Sequence, residues 1–283
     1  MKTHFKAHFI GIGGIGVSAL ARYYLTQGWD VSGSDLAASE ITEALQKLGV
    51  KVYYGTKGLK EKIPDIVIYS PAVKQNNPEL EEARRLGIKA ESYPQALGEL
   101  TKEYKTIAIA GAHGKSTTTA MVGLMMRDAD LDPTVIVGTK VREFCNSNFR
   151  LGKSKYLVIE ACEYEKSFLN YWPSIIILTN IEMDHMECYK NEAELVATFK
   201  EFVNHLPREG VLVANADDIN IGKIIPKIQK EKIVIKKYSS LDPDTAKLRK
   251  NLKIPGEHNV ANGLAALTVG RLLGIAEIGR AHV

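Results

Sequence analysis

Short apolar runs alternate along the chain with stretches in which apolar positions recur every three to four residues. HFI (8–10), DVSGSD (30–35), VKVYYG (50–55), DIVIYSPA (65–72) and IKAES (88–92) are bounded by glycine, proline or charge. Helix-length segments separate them, the first from about Gly14 to Gln27. This order predicts parallel strands joined by crossover helices, a doubly wound α/β unit. After the polar stretch ELTKEYK (99–105) a second series begins: TIAIAG (106–111), VIVG (135–138), KYLVIEAC (155–162), SIIILTN (174–180), GVLVAN (210–215) and KIVIKKYS (232–239). These runs are apolar throughout, as strands are when helices cover both faces of a sheet. The pattern therefore predicts two α/β domains, a Rossmann-like one over 1–103 and a second, mostly parallel one over 104–283. From Asn259, NVANGLAALTVGRLLGI predicts an amphipathic helix, after which the chain stops in AEIGRAHV without another strand.

Composition narrows the class without naming a function. Of 283 residues, 45% are hydrophobic and 25% charged, the balance of a globular protein. No apolar run reaches the roughly 18 residues that a bilayer span needs, and MKTHFKAHFIGIGG lacks a secretory apolar region with a cleavage site. A cytoplasmic protein without membrane insertion is expected. Cys145, Cys162 and Cys188 are an odd number, which argues for a reducing compartment and against a disulfide framework. The net charge of +4 is too small to imply a nucleic-acid partner.

Four stretches carry candidate chemistry. Gly11, Gly13, Gly14 and Gly16 lie directly after a predicted strand and open a helix, where glycines let the backbone turn tightly against a pyrophosphate and the helix N-terminus faces the anion. Asp35 follows at the distance at which an acidic residue meets a ribose hydroxyl. In AIAGAHGKSTTTAM (108–121) a strand, a short glycine loop and a helix start follow one another. Lys115 would lie against phosphate oxygens and Ser116 would offer its hydroxyl to Mg²⁺, although Ile109 stands where the common phosphate loop has glycine. Thr117, Thr118 and Thr119 read equally well as caps for free amides of the helix. Glu160 ends an apolar strand, where a metal-ligating carboxylate is wanted, while Glu163 and Glu165 read equally as part of a solvated loop. Asp184 and His185 follow a third strand, and a neutral imidazole is a common metal ligand.

Taken together, GIGGIGVSAL and SGSD (within 11–35), GAHGKSTTTAM (111–121), SNFRLGKSKYLVIEACE (147–163), TNIEMDHMECY (179–189) and PGEHNVANGLAAL (255–267) resemble the Mur ligase family, in the family's order and over nearly the whole chain. The resemblance implies a shortened phosphate loop, G-x-[HN]-G-K-[ST], so that Gly111, His113, Gly114, Lys115, Ser116 and Thr117 bind ATP. It implies Ser116 and Glu160 on one Mg²⁺, His185 on a second, and His258 and Asn262 at the adenine. The first glycine turn, with Asp35, would hold a UDP-sugar rather than NAD. The activity implied is ATP-dependent amide formation between UDP-N-acetylmuramate and L-alanine through an acyl phosphate, in peptidoglycan synthesis, with Lys115, Glu160 and His185 as the catalytic residues. Addition of a recycled peptide to the same sugar nucleotide, and addition of a different amino acid, are the alternatives inside the family. A nicotinamide-dependent oxidoreductase and a non-catalytic nucleotide-binding fragment are the alternatives outside it. Related ligases carry a carbamylated lysine after the metal histidine; this branch is not expected to use one, and Lys200 is a weak candidate for it. Cys162 departs from the acid usual at its position. A third, amino-acid-binding domain is expected to be missing, so that the chain reads as truncated.

Overall fold

The computed structural model describes residues 5–56, 59, 63–184, 187–228 and 233–275. The chain divides into two units, Met1–Glu99 with Gly138–Leu151, and Leu100–Val137 with Gly152–Val283.

The first unit contains β1 (Lys6–Ile10), α1 (Ile15–Thr26), β2 (Asp30–Asp35), α2 (Glu40–Lys47), β3 (Lys51–Tyr54), β4 (Ile66–Tyr69), α3 (Pro78–Arg85), β5 (Lys89–Ser92) and most of α4 (Tyr93–Glu103). Its strands run in the order β3-β2-β1-β4-β5, every neighbouring pair parallel. The order reverses at β1, so the crevice beyond its carboxyl end is where an open α/β sheet takes ligands. β1 is apolar and buried at Ala7, Phe9 and Ile10, yet it also carries His8, which is 1% exposed. Only one side of the imidazole is hydrogen-bonded: Nδ1 lies 2.9 Å from the Ser32 hydroxyl, while Nε2 has no hydrogen-bond partner and faces the Glu79 carboxylate at 3.6 Å. Ser34 donates its hydroxyl to the same carboxylate, which ties α3 to β2.

The chain returns to this unit over 138–151. Here β8 (Ser147–Arg150) lies against α1, with Asn148 donating from Nδ2 to the Ile15 carbonyl and to Ser18 Oγ, the latter at 3.1 Å. The apolar pattern predicts neither this strand nor the return. SNFR is four residues long with a single apolar residue, and what buries it comes from α1, distant in sequence. The change of unit between Glu99 and Leu100 falls inside α4.

The second unit holds β6 (Lys105–Ala110), α5 (Lys115–Asp128), the start of β7 (Thr134–Val141), β9 (Tyr156–Ala161), β10 (Ile175–Leu178), α6 (Glu192–Val203), β11 (Val211–Asn215), α7 (Ile219–Ile224), β12 (Val234–Tyr238), α8 (Thr245–Asn251) and α9 (Glu257–Leu272). Its strand order is β12-β11-β10-β6-β9-β7, again with parallel neighbours. β6 is central, and loops after β6, β9, β10 and β11 open along one edge. Two helices here are buried on more than a stripe. α5 is buried at Thr118, Thr119 and Met121 through Met126, and α9 at nine positions between Asn259 and Gly270. The amphipathic reading of the last helix is therefore corrected: α9 packs against α5, α8, β11 and β12, which leaves it no wholly polar face. Among the described residues no helix is long and apolar enough to cross a membrane.

Asn148 is 3% exposed and serves α1 with both of its contacts. Asn148→Ala is expected to lower stability by about 1 kcal/mol, the worth of the lost side-chain hydrogen bonding, because the Ile15 carbonyl keeps the Ser18 hydroxyl as a donor. Urea unfolding would read the loss, and hydrogen exchange would show faster opening of 138–151. An unchanged midpoint would mean that packing of Phe149 against Tyr23 alone holds the segment.

Candidate functional site

β6 delivers the chain at Ala110 into the loop Gly111–Gly114, and α5 starts at once. Gly114 is the cap residue, with φ of +82°, a left-handed conformation natural to glycine. No side chain caps this helix. An α-helix has no internal partners for its first amides, so those of Lys115, Ser116 and Thr117 present the positive end of the helix to whatever lies at the loop. The threonine run does not relieve them as caps would. Thr118 and Thr119 are fully buried inside the helix packing, and neither hydroxyl has a hydrogen-bond partner.

The loop is held by the neighbouring strand β10. Thr179 donates its hydroxyl to the His113 carbonyl at 2.7 Å. Asn180 grips the same residue twice, accepting from the His113 amide at 2.8 Å and donating to its carbonyl at 3.0 Å. The approach is so close that a Cβ on Gly111 would lie 2.1 Å from Thr179 Oγ1. Gly111 is thus fixed as glycine by contact as well as by its φ of +145°.

Lys115 folds back over the loop. Its ammonium donates to the Gly111 carbonyl at 2.5 Å and the Ala112 carbonyl at 3.0 Å, and lies 3.1 and 3.3 Å from the two Glu163 oxygens. The Lys115 side chain is 15% exposed and that of Glu163 3%. The solvated-loop reading therefore fails for Glu163, while Glu165 is exposed. Glu160 is half-buried on β9, in register with Ile109 of β6. Burial pushes the Cys162 thiol above its ordinary value and the Glu163 charge adds to the shift, so Cys162 is a neutral thiol.

Beside the loop lies a cavity of about 580 Å³, lined among others by His113, Gly114, Asn180, Tyr238, His258 and Asn262. That volume suits a small-molecule ligand. His258 and Asn262 come from the first turns of α9, and a Cβ on Gly114 would fall 2.4 Å from Asn262 Oδ1. Of the residues expected in this unit, His113, Gly114, His258 and Asn262 share the cavity wall. Gly111, Lys115, Ser116, Thr117 and Glu160 stand on the adjoining loop, helix start and strand rather than in its lining. His185 lies outside the described residues. Among the described residues no group of three or more histidine, cysteine or acidic side chains is placed to hold a metal ion.

In the first unit the glycine turn spends its leading amides internally. Gly11 and Ile12 donate to the Ser34 carbonyl at 2.8 and 3.1 Å, and Gly13 donates to Asp35 Oδ2 at 2.7 Å. Asp35 also accepts from the Leu36 amide at 2.7 Å, so its carboxylate locks the turn to the end of β2. Gly16 answers to packing: a Cβ there would meet the Tyr93 ring at 2.7 Å. The free donors are those of α1 beyond its cap Gly14, which no side chain satisfies. Sequence reasoning did not single out Thr179, Asn180 or Tyr238. The Thr-Asn pair directly after the apolar run SIIIL was the available signal.

Residues 6–105 match the Mur ligase family, catalytic domain, and residues 109–270 the Mur ligase middle domain. The UDP-N-acetylmuramate–L-alanine ligase of Clostridium kluyveri is 39% identical, over 96% of this chain and 64% of that protein. The chain thus spans somewhat less than two thirds of the length of that relative. Among solved structures, the UDP-N-acetylmuramate:L-alanyl-gamma-D-glutamyl-meso-diaminopimelate ligase from Neisseria meningitides superposes with a TM-score of 0.85 at 25% identity, covering 96% of this chain and 94% of that one. The UDP-N-acetylmuramate–alanine ligase from Thermotoga maritima gives 0.81 at 28% identity, covering 98% and 67%.

Thr179 is 3% exposed. Thr179→Val keeps its shape and removes the bond to His113, and is expected to cost about 1 kcal/mol for the lost hydrogen bond, since Asn180 still donates to that carbonyl. Thermal unfolding would measure the loss, with faster amide exchange at 111–114. If neither changes, Asn180 alone is sufficient to hold the loop.

Proposed function

Because the chain belongs to the Mur ligase family, we propose that it provides the two nucleotide-binding units of an ATP-dependent ligase that joins L-alanine to UDP-N-acetylmuramate in peptidoglycan synthesis. The observation that carries this reading is the uncapped start of α5 with Lys115 folded over its loop, beside a cavity of ligand size. Free helix amides and a lysine are the groups that grip phosphates in nucleotide-binding loops. On this reading Lys115 and the amides of the loop and first turn bind the β- and γ-phosphates, and the adenosine occupies the cavity toward His258 and Asn262. In the first unit the α1 N-terminus takes the diphosphate of the UDP-sugar, on a turn that Asp35 keeps in shape. The assignment puts the protein in the cytoplasm.

Magnesium is commonly held by one or two carboxylates together with substrate phosphates, without an all-protein cage. Ser116 and Glu160, beside the phosphate loop, fit that kind of site, and His185 would serve a second ion. When bound, the ions neutralise charge on the transferring phosphoryl group. The muramyl carboxylate attacks the γ-phosphorus and ADP departs, leaving an acyl phosphate. The amine of alanine then attacks the acyl carbon, expelling inorganic phosphate and losing a proton as the amide forms. Lys115 contributes by holding phosphate oxygens as charge redistributes over them, the kind of electrostatic positioning on which phosphoryl transfer depends.

A second reading inside the family, addition of a peptide to the same sugar nucleotide, draws support from the higher TM-score of the Neisseria meningitides ligase. The 39% identity to the Clostridium kluyveri alanine ligase favours the first.

Lys115→Ala is expected to weaken ATP binding by about 10- to 100-fold, the worth of a charge-assisted phosphate contact, while UDP-N-acetylmuramate binding stays unchanged. Titration calorimetry with each ligand separates the two. Equal loss of both would sink the two-site reading, and stronger thermal stabilisation by NADH than by UDP-N-acetylmuramate would favour an oxidoreductase.

A further inference from the structure

We propose that Glu163 is a positioning residue for Lys115: its buried carboxylate parks the ammonium over the phosphate loop and competes for it with an incoming triphosphate. The inference rests on the ATP-site reading above and adds a residue that the reading does not require.

A lysine ammonium has three donors and no acceptor. In this structure they serve the Gly111 carbonyl, the Ala112 carbonyl and the Glu163 carboxylate. A phosphate oxygen can engage Lys115 only if one of these partners is released. Both carbonyls belong to the loop that would wrap the phosphates, so they stay close to the ammonium whichever anion it faces. Glu163 is the partner that carries charge of the same sign as the ligand.

The anchoring of the two side chains indicates which one moves. Glu163 sits on a backbone held at several points. Its carbonyl accepts from the Tyr189 hydroxyl at 2.5 Å and from the Lys166 amide at 2.9 Å, and the preceding Cys162 carbonyl accepts from the Phe168 amide at 3.0 Å. Directly after it Glu165 and Lys166 adopt φ of 48° and 55°, left-handed values unusual for side chains other than glycine. Lys166 is tied to Glu194 at 3.0 Å. Two such residues in succession persist only where the surroundings over-determine them, and such strain gathers at ligand clamps. Lys115 is instead a point charge on a flexible four-carbon stem. The ammonium swings toward the phosphates, and the carboxylate remains where it is.

A fixed buried carboxylate next to a phosphate site penalises a ligand that arrives with its full negative charge. The penalty falls when a divalent cation travels with the nucleotide. Glu163 thereby makes the loop favour metal-bound over metal-free triphosphate.

The test is titration calorimetry of ATP with the full 283-residue chain, once in EDTA and once in excess Mg²⁺. Glu163→Gln, of nearly the same shape, is expected to bind metal-free ATP roughly tenfold more tightly than the parent, the scale of one charge-assisted bond no longer competing, with a smaller gain in Mg²⁺. Glu163→Asp, which keeps the charge on a shorter stem, is expected to show a smaller gain in EDTA, and it decides the matter if the glutamine variant does not fold. A merely structural glutamate would lower affinity in both media when replaced. Affinity in EDTA equal to or below that of the parent, in a folded variant, overturns the proposal. If the parent chain binds no ATP in either medium, the failure belongs to the ATP-site reading instead.

Discussion

The start of α5 sets the terms for everything near it. A strand that ends in a parallel sheet and turns straight into a helix brings a set of unpaired amides to the sheet edge, which a side chain, water or a ligand must satisfy. At four helices of this protein the answer is a side chain: Ser39 caps α2, Asn77 caps α3, Asn191 caps α6 and Asp218 caps α7. At α1, α5 and α9 the cap position is Gly14, Gly114 or Gly256, and no side chain fills the role. The features around α5 follow from leaving those donors open. The loop needs outside support, which Thr179 and Asn180 give. The lysine beside it needs a counter-charge, which Glu163 gives.

The strands were legible because strands covered on both faces read as unbroken apolar runs, and because glycine, proline and charge punctuate them. Each run singled out in the sequence corresponds to a strand of the structure. β8 was not legible. Its burial depends on Asn148 and Phe149 meeting α1, a contact that local periodicity cannot encode. The same limit applies at the site. Gly114, Lys115 and Ser116 were readable because glycines and a lysine after a buried strand serve no packing purpose. Thr179 and Asn180 look unremarkable until the fold sets them against His113.

Three residues or pairs show what local chemistry adds to a reading of the sequence. Threonine at a helix start suggests capping, but Thr118 and Thr119 face a packed interior and their hydroxyls are enclosed. Asp35 stands at the position of a ribose-binding acid, and its carboxylate also accepts from two backbone amides that shape the glycine turn. Glu163 looked like one of several loop acids, and only the folded chain separates it from Glu165. In each case the residue type was legible and its surroundings were not, because surroundings are a property of three dimensions.

The return of residues 138–151 to the first unit bears on how the protein is made. A nascent chain released only as far as Glu99 lacks the side chain that adds a donor to both the Ile15 carbonyl and Ser18 Oγ. The carbonyl stands in the first turn of α1, beside the glycine turn. At roughly 5–20 residues per second, synthesis takes a few seconds more to supply Asn148. During that interval β6, α5 and β7 have already emerged and can begin to form the second sheet around their own core. The N-terminal unit is thus the first to appear and not the first to be completed, and its final closure is tied to the progress of its successor.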